Sequence, residues 1–331
     1  MKISGLYVYP VKSLRGTALS EALATRHGFR YDRIFMLLKV IPGGCENMAV
    51  SSFPEMVLFL TDISYPEDDD KSGGTLSVRY KTPGSADTEP KDILRIPLHP
   101  DTQDLEMFEV HMHDSPTKAF KMPSQYSSWF SSRFGYEVVF AYLGGNLRDV
   151  LWEEMKPAKG NSWLSTLSSS ILGGSNSREQ ITFADCSPYL IVSKTSLGDV
   201  SSRLPDGEEM DMTKFRPNIV LDGAEKAWEE DFWGKVKVNN VEFTLAHNCV
   251  RCKSINVDYN TGQPGTGESG SVLKKLQKDR RVDTGARWSP VFGRYSFLNS
   301  KNGNVVLRVG DEVSVTQLNP ERTVWSWKGL G

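Results

Sequence analysis

Cysteine is scarce in this chain, with four in 331 residues, too few for a disulfide scaffold at this length. Long apolar runs are also missing, because none approaches the roughly 18 residues of a membrane-spanning helix. The N-terminus lacks the apolar stretch of a secretory signal. These absences predict a protein without a membrane span, in a reducing compartment where its thiols are available for chemistry.

A charge excess of either sign is absent as well. The chain has 39 Lys and Arg against 41 Asp and Glu, a formal net charge of -2. This balance excludes a dedicated nucleic-acid binder and a polybasic membrane-surface protein. Hydrophobic residues make up 39% and charged residues 24%, which is typical of folded globular proteins. The length favours two domains over one.

Short β patterns separated by turns dominate the chain, with a few helical stripes between them. Strands are predicted at 3–8, 33–40, 189–192 and 305–315, and a hairpin at 235–246 around Asn239-Asn240, which tolerate positive φ. Helices are predicted at 124–134 and 272–278, and a further helix is predicted to follow Ser193 and run to Leu204. The prediction is a mainly β fold with some α (α+β), built as two β-barrel-like domains.

The segment 156–180 is rich in Ser, Gly, Asn and Lys and shows little periodicity. Such composition is typical of a flexible connection. We therefore expect an N-terminal barrel over 1–140, a connecting segment with a flexible loop over 141–180, and a second barrel over 181–331.

The sharpest local motif is the C-x-x-C pair Cys249 and Cys252, which follows the predicted hairpin. Arg251 and Lys253 flank Cys252, and cations beside a thiol favour its ionised form. The pair is compatible with zinc, although four ligands are required and no second pair exists. It is also compatible with a thioredoxin-like redox site, with a single soft thiolate on a transition metal, or with two ordinary buried residues.

Polar groups also cluster at other predicted strand ends. They are Lys12 and Ser13 after the first strand, Asp32-Arg33, Asp185-Cys186-Ser187, and Arg216 with Asn218. A buried Arg33 requires a partner, either Asp32 or a bound anion. Turn chemistry and structural ion pairs are the alternatives for the other groups. Taken together, these groups predict an anion-holding cleft with a soft metal ligand.

The ordered blocks YPVKS, DR, SPYLIVS, FRPNIV, RC, VDYNTG and FGRYSFL resemble those of the MOSC-domain proteins. The resemblance extends from about residue 2 to residue 317. The blocks are most similar to the mitochondrial amidoxime-reducing component branch, which has an N-terminal β-barrel domain.

This resemblance implies a molybdenum cofactor, in which molybdopterin with a terminal phosphate and one protein cysteine hold the metal. Cys252 falls on the metal ligand, Cys249 on a neighbouring position, and Asp185 on an acidic residue close to the metal. The matched cofactor-binding positions are Lys12, Ser13, Arg33, Cys186, Ser187, Arg216, Asn218, Arg251, Cys252 and Tyr295. Cys186 stands where the family often has Thr.

The implied activity is the reduction of N-hydroxylated compounds such as amidoximes, hydroxylamines and N-hydroxylated bases, with Asp185 delivering protons. Electrons would come from a separate cytochrome b5-type protein and its NADH-dependent reductase, docking weakly on a monomer. The alternative is a cofactor-binding or carrier protein without turnover of its own. The expected location is the cytoplasm, or the mitochondrion if an N-terminal anchor precedes this sequence.

Overall fold

The computed structural model describes residues 1–66, 73–84, 92–155, 178–299 and 304–327. Strands dominate these residues, which confirms the mainly β fold class. Most of the predicted connection, residues 156–177, lies outside the described part. Within the described ranges, no helix is long and apolar enough to cross a bilayer.

The strands of the first half are β1 (Lys2–Val8), β2 (Thr17–Leu19), β3 (Glu21–Thr25), β4 (Gly28–Phe29), β5 (Phe35–Ile41), β6 (Gly44–Asn47), β7 (Phe59–Ser64), β8 (Thr75–Tyr80), β9 (Ile93–Pro97), β10 (Met107–Met112), β11 (Ser115–Lys121), β12 (Val138–Tyr142) and β13 (Arg148–Asp149). Those of the second half are β14 (Gln180–Ile181), β15 (Tyr189–Ser193), β16 (Ile219–Asp222), β17 (Trp233–Val238), β18 (Val241–Val250), β19 (Val257–Asp258), β20 (Gln263–Pro264), β21 (Val291–Leu298), β22 (Val305–Arg308) and β23 (Val313–Leu318).

The α-helices are α1 (Ser124–Phe134), α2 (Lys194–Ser201) and α3 (Val272–Leu276). Short 3-10 helices cover Pro54–Leu58, Glu153–Met155, Met212–Phe215, Glu229–Phe232, Lys253–Asn256, Ser269–Ser271 and Thr284–Ala286. Helix α1 has the predicted bounds, and α2 ends three residues earlier than predicted.

Two antiparallel sheets enclose the core of the first half. One has the order β10-β11-β12-β5-β6, and the other has the order β7-β8-β9. Helix α1 buries Tyr126 and Phe130 against this core and ends where Gly135 adopts a positive φ of 77°. The continuous apolar run in β5 is explained by burial of residues 35–38 on both faces of the strand.

The first strand of the chain belongs to the sheet of the second half. The eight-stranded sheet has the order β2-β1-β16-β15-β21-β18-β17-β23, with Leu6 of β1 opposite Ile219 of β16. Strand β3 pairs with β4 and with β22. Two strands near the start of the chain, β1 and β3, therefore pair with strands of the second half.

The predicted hairpin is confirmed as β17 and β18, and Asn239 in its turn has a φ of 50°. The pattern over 305–315 forms two strands that join different sheets. Strand β22 pairs with β3, whereas β23 pairs with β17. Their alternation predicted strands but carried no information on the partners.

Phe59 anchors the aromatic core of the first half. Its side chain is fully buried, and its ring lies 4.6 Å from Phe134 and 5.4 Å from Phe130 between centroids. We expect Phe59→Ala to lower the free energy of unfolding by roughly 3–5 kcal/mol, because a cavity replaces the ring. Chemical denaturation measures this loss. Trp288→Ala is the control, since Trp288 is 68% exposed and its removal should change stability by less than about 0.5 kcal/mol. Equal losses would contradict the prediction.

Candidate functional site

A cavity of about 110 Å³ opens between segments that adjoin β15, β16 and β18. Eight of the eleven site residues predicted from the sequence line it: Arg33, Asp185, Ser187, Arg216, Asn218, Arg251, Cys252 and Tyr295. Three predicted residues, Lys12, Ser13 and Cys186, do not line it. The tertiary structure thus brings together residues that are up to 262 positions apart, from 33 to 295.

The guanidinium groups of buried Arg33 and half-buried Arg216 both contact the ring of Tyr9. The Arg33 guanidinium carbon lies 4.8 Å from the ring centroid and that of Arg216 lies 4.4 Å from it. Arg33 is ion-paired with Asp32, so the carboxylate alternative predicted from the sequence is observed. Arg33 also donates to Oδ1 of Asn218 at 3.2 Å.

Arg216 has a different environment. Its Nη1 donates to the carbonyl of Leu14 at 2.6 Å, while its buried Nη2 has no hydrogen-bond partner among the described residues. Burial, together with the charge of Arg33, lowers the pKa of Arg216. A buried cation with a free donor beside a second cation is a site for an anion with several oxygen acceptors, such as a phosphate.

The backbone is strained where these side chains emerge. Ser13, Arg33 and Arg216 have φ values of 69°, 52° and 55°. Residues other than Gly and Asn rarely adopt this region, at a cost of order 1–3 kcal/mol each. Strain of this kind persists where the surrounding structure enforces it, and it is common in ligand-binding sites.

Asp185 lies in the cavity between two basic side chains. It is ion-paired with Lys12, and Nε2 of His113 lies 3.3 Å from its Oδ1. Its side chain lines the cavity and is 54% exposed. Burial alone would raise the pKa of Asp185, but the charge of Lys12 and the His113 hydrogen bond hold it well below its ordinary value. Asp185 is therefore a carboxylate at neutral pH.

The two cysteines of the C-x-x-C pair have opposite environments. Cys249 is only 3% exposed, and burial raises the pKa of its thiol. Cys252 follows the end of β18 and is exposed, with its Sγ 3.2 Å from the Ser254 hydroxyl. All four cysteines of the chain are free thiols. Cys252 is therefore the accessible sulfur of the cavity.

Arg251 is engaged within the protein. Its guanidinium donates to the carbonyls of Phe292 and Phe215, at 2.6 and 2.8 Å. It therefore holds two segments of the cavity wall together. Ser187 is also engaged within the protein, because its hydroxyl donates to the carbonyl of Tyr189 at 2.6 Å.

The three predicted residues outside the lining have structural contacts. Lys12 Nζ donates to the Phe183 carbonyl at 3.2 Å in addition to pairing with Asp185. Ser13 donates to the Met48 carbonyl at 3.3 Å. Cys186 is 1% exposed, and burial raises the pKa of its thiol well above the ordinary value.

Tyr9 and Lys214 were not among the site residues predicted from the sequence. Tyr9 contacts both guanidinium groups, and Lys214 lines the cavity. The signal that could have identified them is their position, since Tyr9 lies in the YPVKS block and Lys214 lies next to the FRPNIV block. Among the described residues, no three His, Cys, Asp or Glu side chains are grouped to hold a metal ion.

Comparison with known protein families matches residues 178–314 to the MOSC domain and residues 1–137 to the MOSC N-terminal beta barrel domain. Mitochondrial amidoxime-reducing component 1 of Mus musculus is 28% identical over 320 residues, covering 94% of this chain and 81% of the relative. Mitochondrial amidoxime reducing component 2 of Macaca fascicularis is 30% identical over 321 residues, covering 94% of this chain and 82% of the relative.

A molybdenum cofactor sulfurase of Arabidopsis thaliana is 26% identical over 289 residues. The match covers 85% of this chain but 31% of the sulfurase. Among solved structures, the crystal structure of YiiM from Geobacillus stearothermophilus aligns with a TM-score of 0.26 at 14% identity, over 40% of this chain and 55% of its own, too weak to bear on the fold.

Arg148 and Arg216 should differ in how much stability a neutral replacement costs. Arg148 is fully buried and donates to the carbonyls of Met112, Thr182 and Asp185. Arg148→Met leaves these acceptors unsatisfied and should lower the free energy of unfolding by at least about 3 kcal/mol. Arg216→Met removes a poorly paired buried charge and should lower it by less than about 1 kcal/mol. Chemical denaturation of the cofactor-free protein measures both values, and a larger loss in Arg216→Met would refute the idea of an unsatisfied anion site.

Acid should weaken the contribution of Asp185 to stability. Its folded pKa lies below the unfolded value of about 3.9, so its stabilisation is full above that value and is lost as the pH falls through the folded pKa. The stability difference between the wild type and Asp185→Asn should be constant between about pH 6 and 7 and shrink between about pH 4.5 and 2.5. We expect this stability difference between the wild type and Asp185→Asn to be small at every pH, because the carboxylate is half exposed. Urea denaturation across this range measures it, and a gap that widens with acid would be inconsistent with a depressed pKa.

Proposed function

The chain belongs to the MOSC-domain proteins with an N-terminal MOSC β-barrel domain, and on this basis we propose that it is a molybdenum-cofactor-dependent oxidoreductase. Its proposed substrates are N-hydroxylated compounds, including amidoximes, hydroxylamines and N-hydroxylated bases. The names of the amidoxime-reducing relatives, which align with 94% of the chain, support this substrate class.

One observation carries the proposal: a single cavity is lined both by Arg216, whose buried Nη2 has no hydrogen-bond partner among the described residues, and by the exposed Cys252. A phosphorylated pterin that carries molybdenum requires cationic donors for its phosphate and a soft thiolate for its metal. The residues present fit both requirements. In the proposal, Cys252 ligates the metal, while Arg33, Arg216, Asn218 and Ser187 hold the pterin and its phosphate.

In the proposal, the remaining predicted residues stabilise the segments that form the cavity. Lys12 joins the segment after β1 to the cavity residue Asp185, and Ser13 fixes the same segment to the carbonyl of Met48. Arg251 fixes the wall formed by Phe215 and Phe292. Cys186 and Tyr295 belong to the same buried cluster, and Tyr295 also lines the cavity. In the proposal this shell fixes the position of the cofactor and excludes bulk water.

The proposed reaction converts an N–OH group, two electrons and two protons into an N–H group and water. When bound, the cofactor supplies the redox centre for the electron transfer. Cys252 holds this centre in place through its sulfur. Asp185 is ionised at neutral pH, so in the proposal it receives each proton from a neighbouring group and passes it toward the substrate.

Electrons come from a separate protein in this proposal, a cytochrome b5-type carrier with its NADH-dependent reductase. We expect a monomer that forms a weak, salt-sensitive complex with this donor through charged rims. The cytoplasm is the proposed location. The mitochondrion is the alternative, and the names of the amidoxime-reducing relatives support it.

A second candidate is a cofactor-binding or carrier protein without turnover. The sulfurase relative supports this candidate, because most of this chain aligns with part of a protein whose name refers to cofactor handling. The same cavity would serve both functions, so measurement of turnover separates them.

The purified protein should contain one molybdenum atom per chain by elemental analysis, and it should convert benzamidoxime to benzamidine when supplied with NADH, the reductase and cytochrome b5. Cys252→Ser should reduce turnover by at least about 100-fold, because a hydroxyl is a poor soft ligand. Cys45→Ser is the matched control, since this thiol is exposed and outside the cavity lining. A molybdenum-loaded protein that reduces no N-hydroxylated compound would establish the carrier instead.

A further inference from the structure

The turn between β10 and β11 has an unusual composition. Its two residues, His113 and Asp114, both have positive φ, at 54° and 59°. Two-residue turns of this geometry favour Asn and Gly, which adopt positive φ with little strain. A histidine at this position is strained and lowers the stability of the turn, so the contacts of its side chain are of functional interest.

The imidazole of His113 reaches the cavity carboxylate. Its Nε2 lies 3.3 Å from Oδ1 of Asp185, and its side chain is 26% exposed. The ring therefore contacts both solvent and a carboxylate that lines the cavity. The contact joins residues 72 positions apart, so no local turn preference explains it.

A buried clamp holds the two groups together. Arg148 donates through Nη1 to the carbonyl of Met112, next to His113, and through Nη2 to the carbonyl of Asp185. Trp327 donates through Nε1 to the carbonyl of His113 at 3.1 Å. The hairpin tip and the Asp185 segment are thus fixed relative to each other by side chains from two other parts of the chain.

The other charged groups around Asp185 are poor carriers of solvent protons. Arg33, Arg148 and Arg216 remain protonated in this pH range. Lys12, the direct ion-pair partner, is 7% exposed. Histidine is the side chain that gains and loses protons near neutral pH. Among these neighbours, His113 therefore combines solvent contact with this chemistry, and its relay would act beside the direct solvent contact of Asp185, whose side chain is 54% exposed.

We propose that His113 passes solvent protons to Asp185 and is the proton entry of the cavity. This inference rests on the proposed function, which consumes two protons with the two electrons from the donor protein. In each transfer the protonated imidazole gives its Nε2 proton to Oδ1 of Asp185 and becomes neutral, and solvent then protonates it again. Two transfers supply the protons of the N–H product and water. His113 acts through Asp185 and is a positioning and relay residue.

His113→Asn tests the relay in the loaded, full-length protein, because Asn tolerates positive φ but is too short to replace the ring. Benzamidoxime turnover should fall by about 100-fold with KM unchanged, and added imidazole should restore part of it. The loss should be greater at alkaline pH, where solvent supplies fewer protons. His111→Asn is the matched control, since His111 lies on the same hairpin, is 73% exposed and pairs with Glu109. Its turnover should equal that of the wild type.

A second measurement does not depend on turnover. Carboxyl carbon NMR of aspartate-labelled protein, with Asp185→Asn for assignment, follows the titration of Asp185. His113→Asn should raise the pKa of Asp185, because one hydrogen bond to the carboxylate is lost, and His111→Asn should leave it unchanged.

The outcomes separate the two proposals. An Asp185 titration that is the same in His113→Asn and the wild type would overturn the inference, as would turnover equal to that of the wild type at every pH. If turnover falls, imidazole does not restore it and the pH profile is unchanged, His113 has only a structural role. That result would also overturn the inference. If the loaded wild type reduces no N-hydroxylated compound, the proposed function fails, and the NMR titration still decides whether His113 controls the protonation of Asp185.

Discussion

The site depends on one buried amide, that of Asn218. Its Oδ1 accepts from Arg33 and from the backbone of Leu190, and its Nδ2 donates to the carbonyl of Tyr7. Its own backbone bonds to Tyr7 and Leu190 as well. A single residue, 1% exposed, therefore ties β1 to β15 and β16 and orients a guanidinium at the cavity. Because each bond is shielded from water, loss of this amide would leave several polar groups unsatisfied.

The charge balance of the cavity follows from this arrangement. Arg33 has Asp32 as its counterion, whereas Arg216 has none within hydrogen-bond distance among the described residues. On another wall, Lys12 and His113 hold Asp185 ionised. The protein thus holds one carboxylate ionised and leaves Nη2 of Arg216 without a partner among the described residues. An exposed thiol in the same cavity as these groups is suited to the charged, phosphate-bearing ligand that we propose.

Local patterns predicted most of the individual elements. The apolar stripe of α1, the alternation of the β17 and β18 hairpin and the buried run of β5 each appear in the structure because short-range periodicity reports which face of an element is buried. The same patterns failed to identify partners. Strands β22 and β23 belong to different sheets, and β1 pairs with a strand of the second half. Strand pairing depends on contacts between residues that are distant in sequence.

The candidate site shows the same division. The sequence by itself determined the residue types at the strand ends and the blocks that carry the resemblance, and eight of those residues line one cavity. Only the tertiary structure distinguished exposed Cys252 from buried Cys249, left Nη2 of Arg216 without a partner, and placed His113 against Asp185. The physical reason is that solvent exposure and hydrogen-bond partners are properties of the packed chain. They are set by segments tens to hundreds of residues away, which no local pattern records.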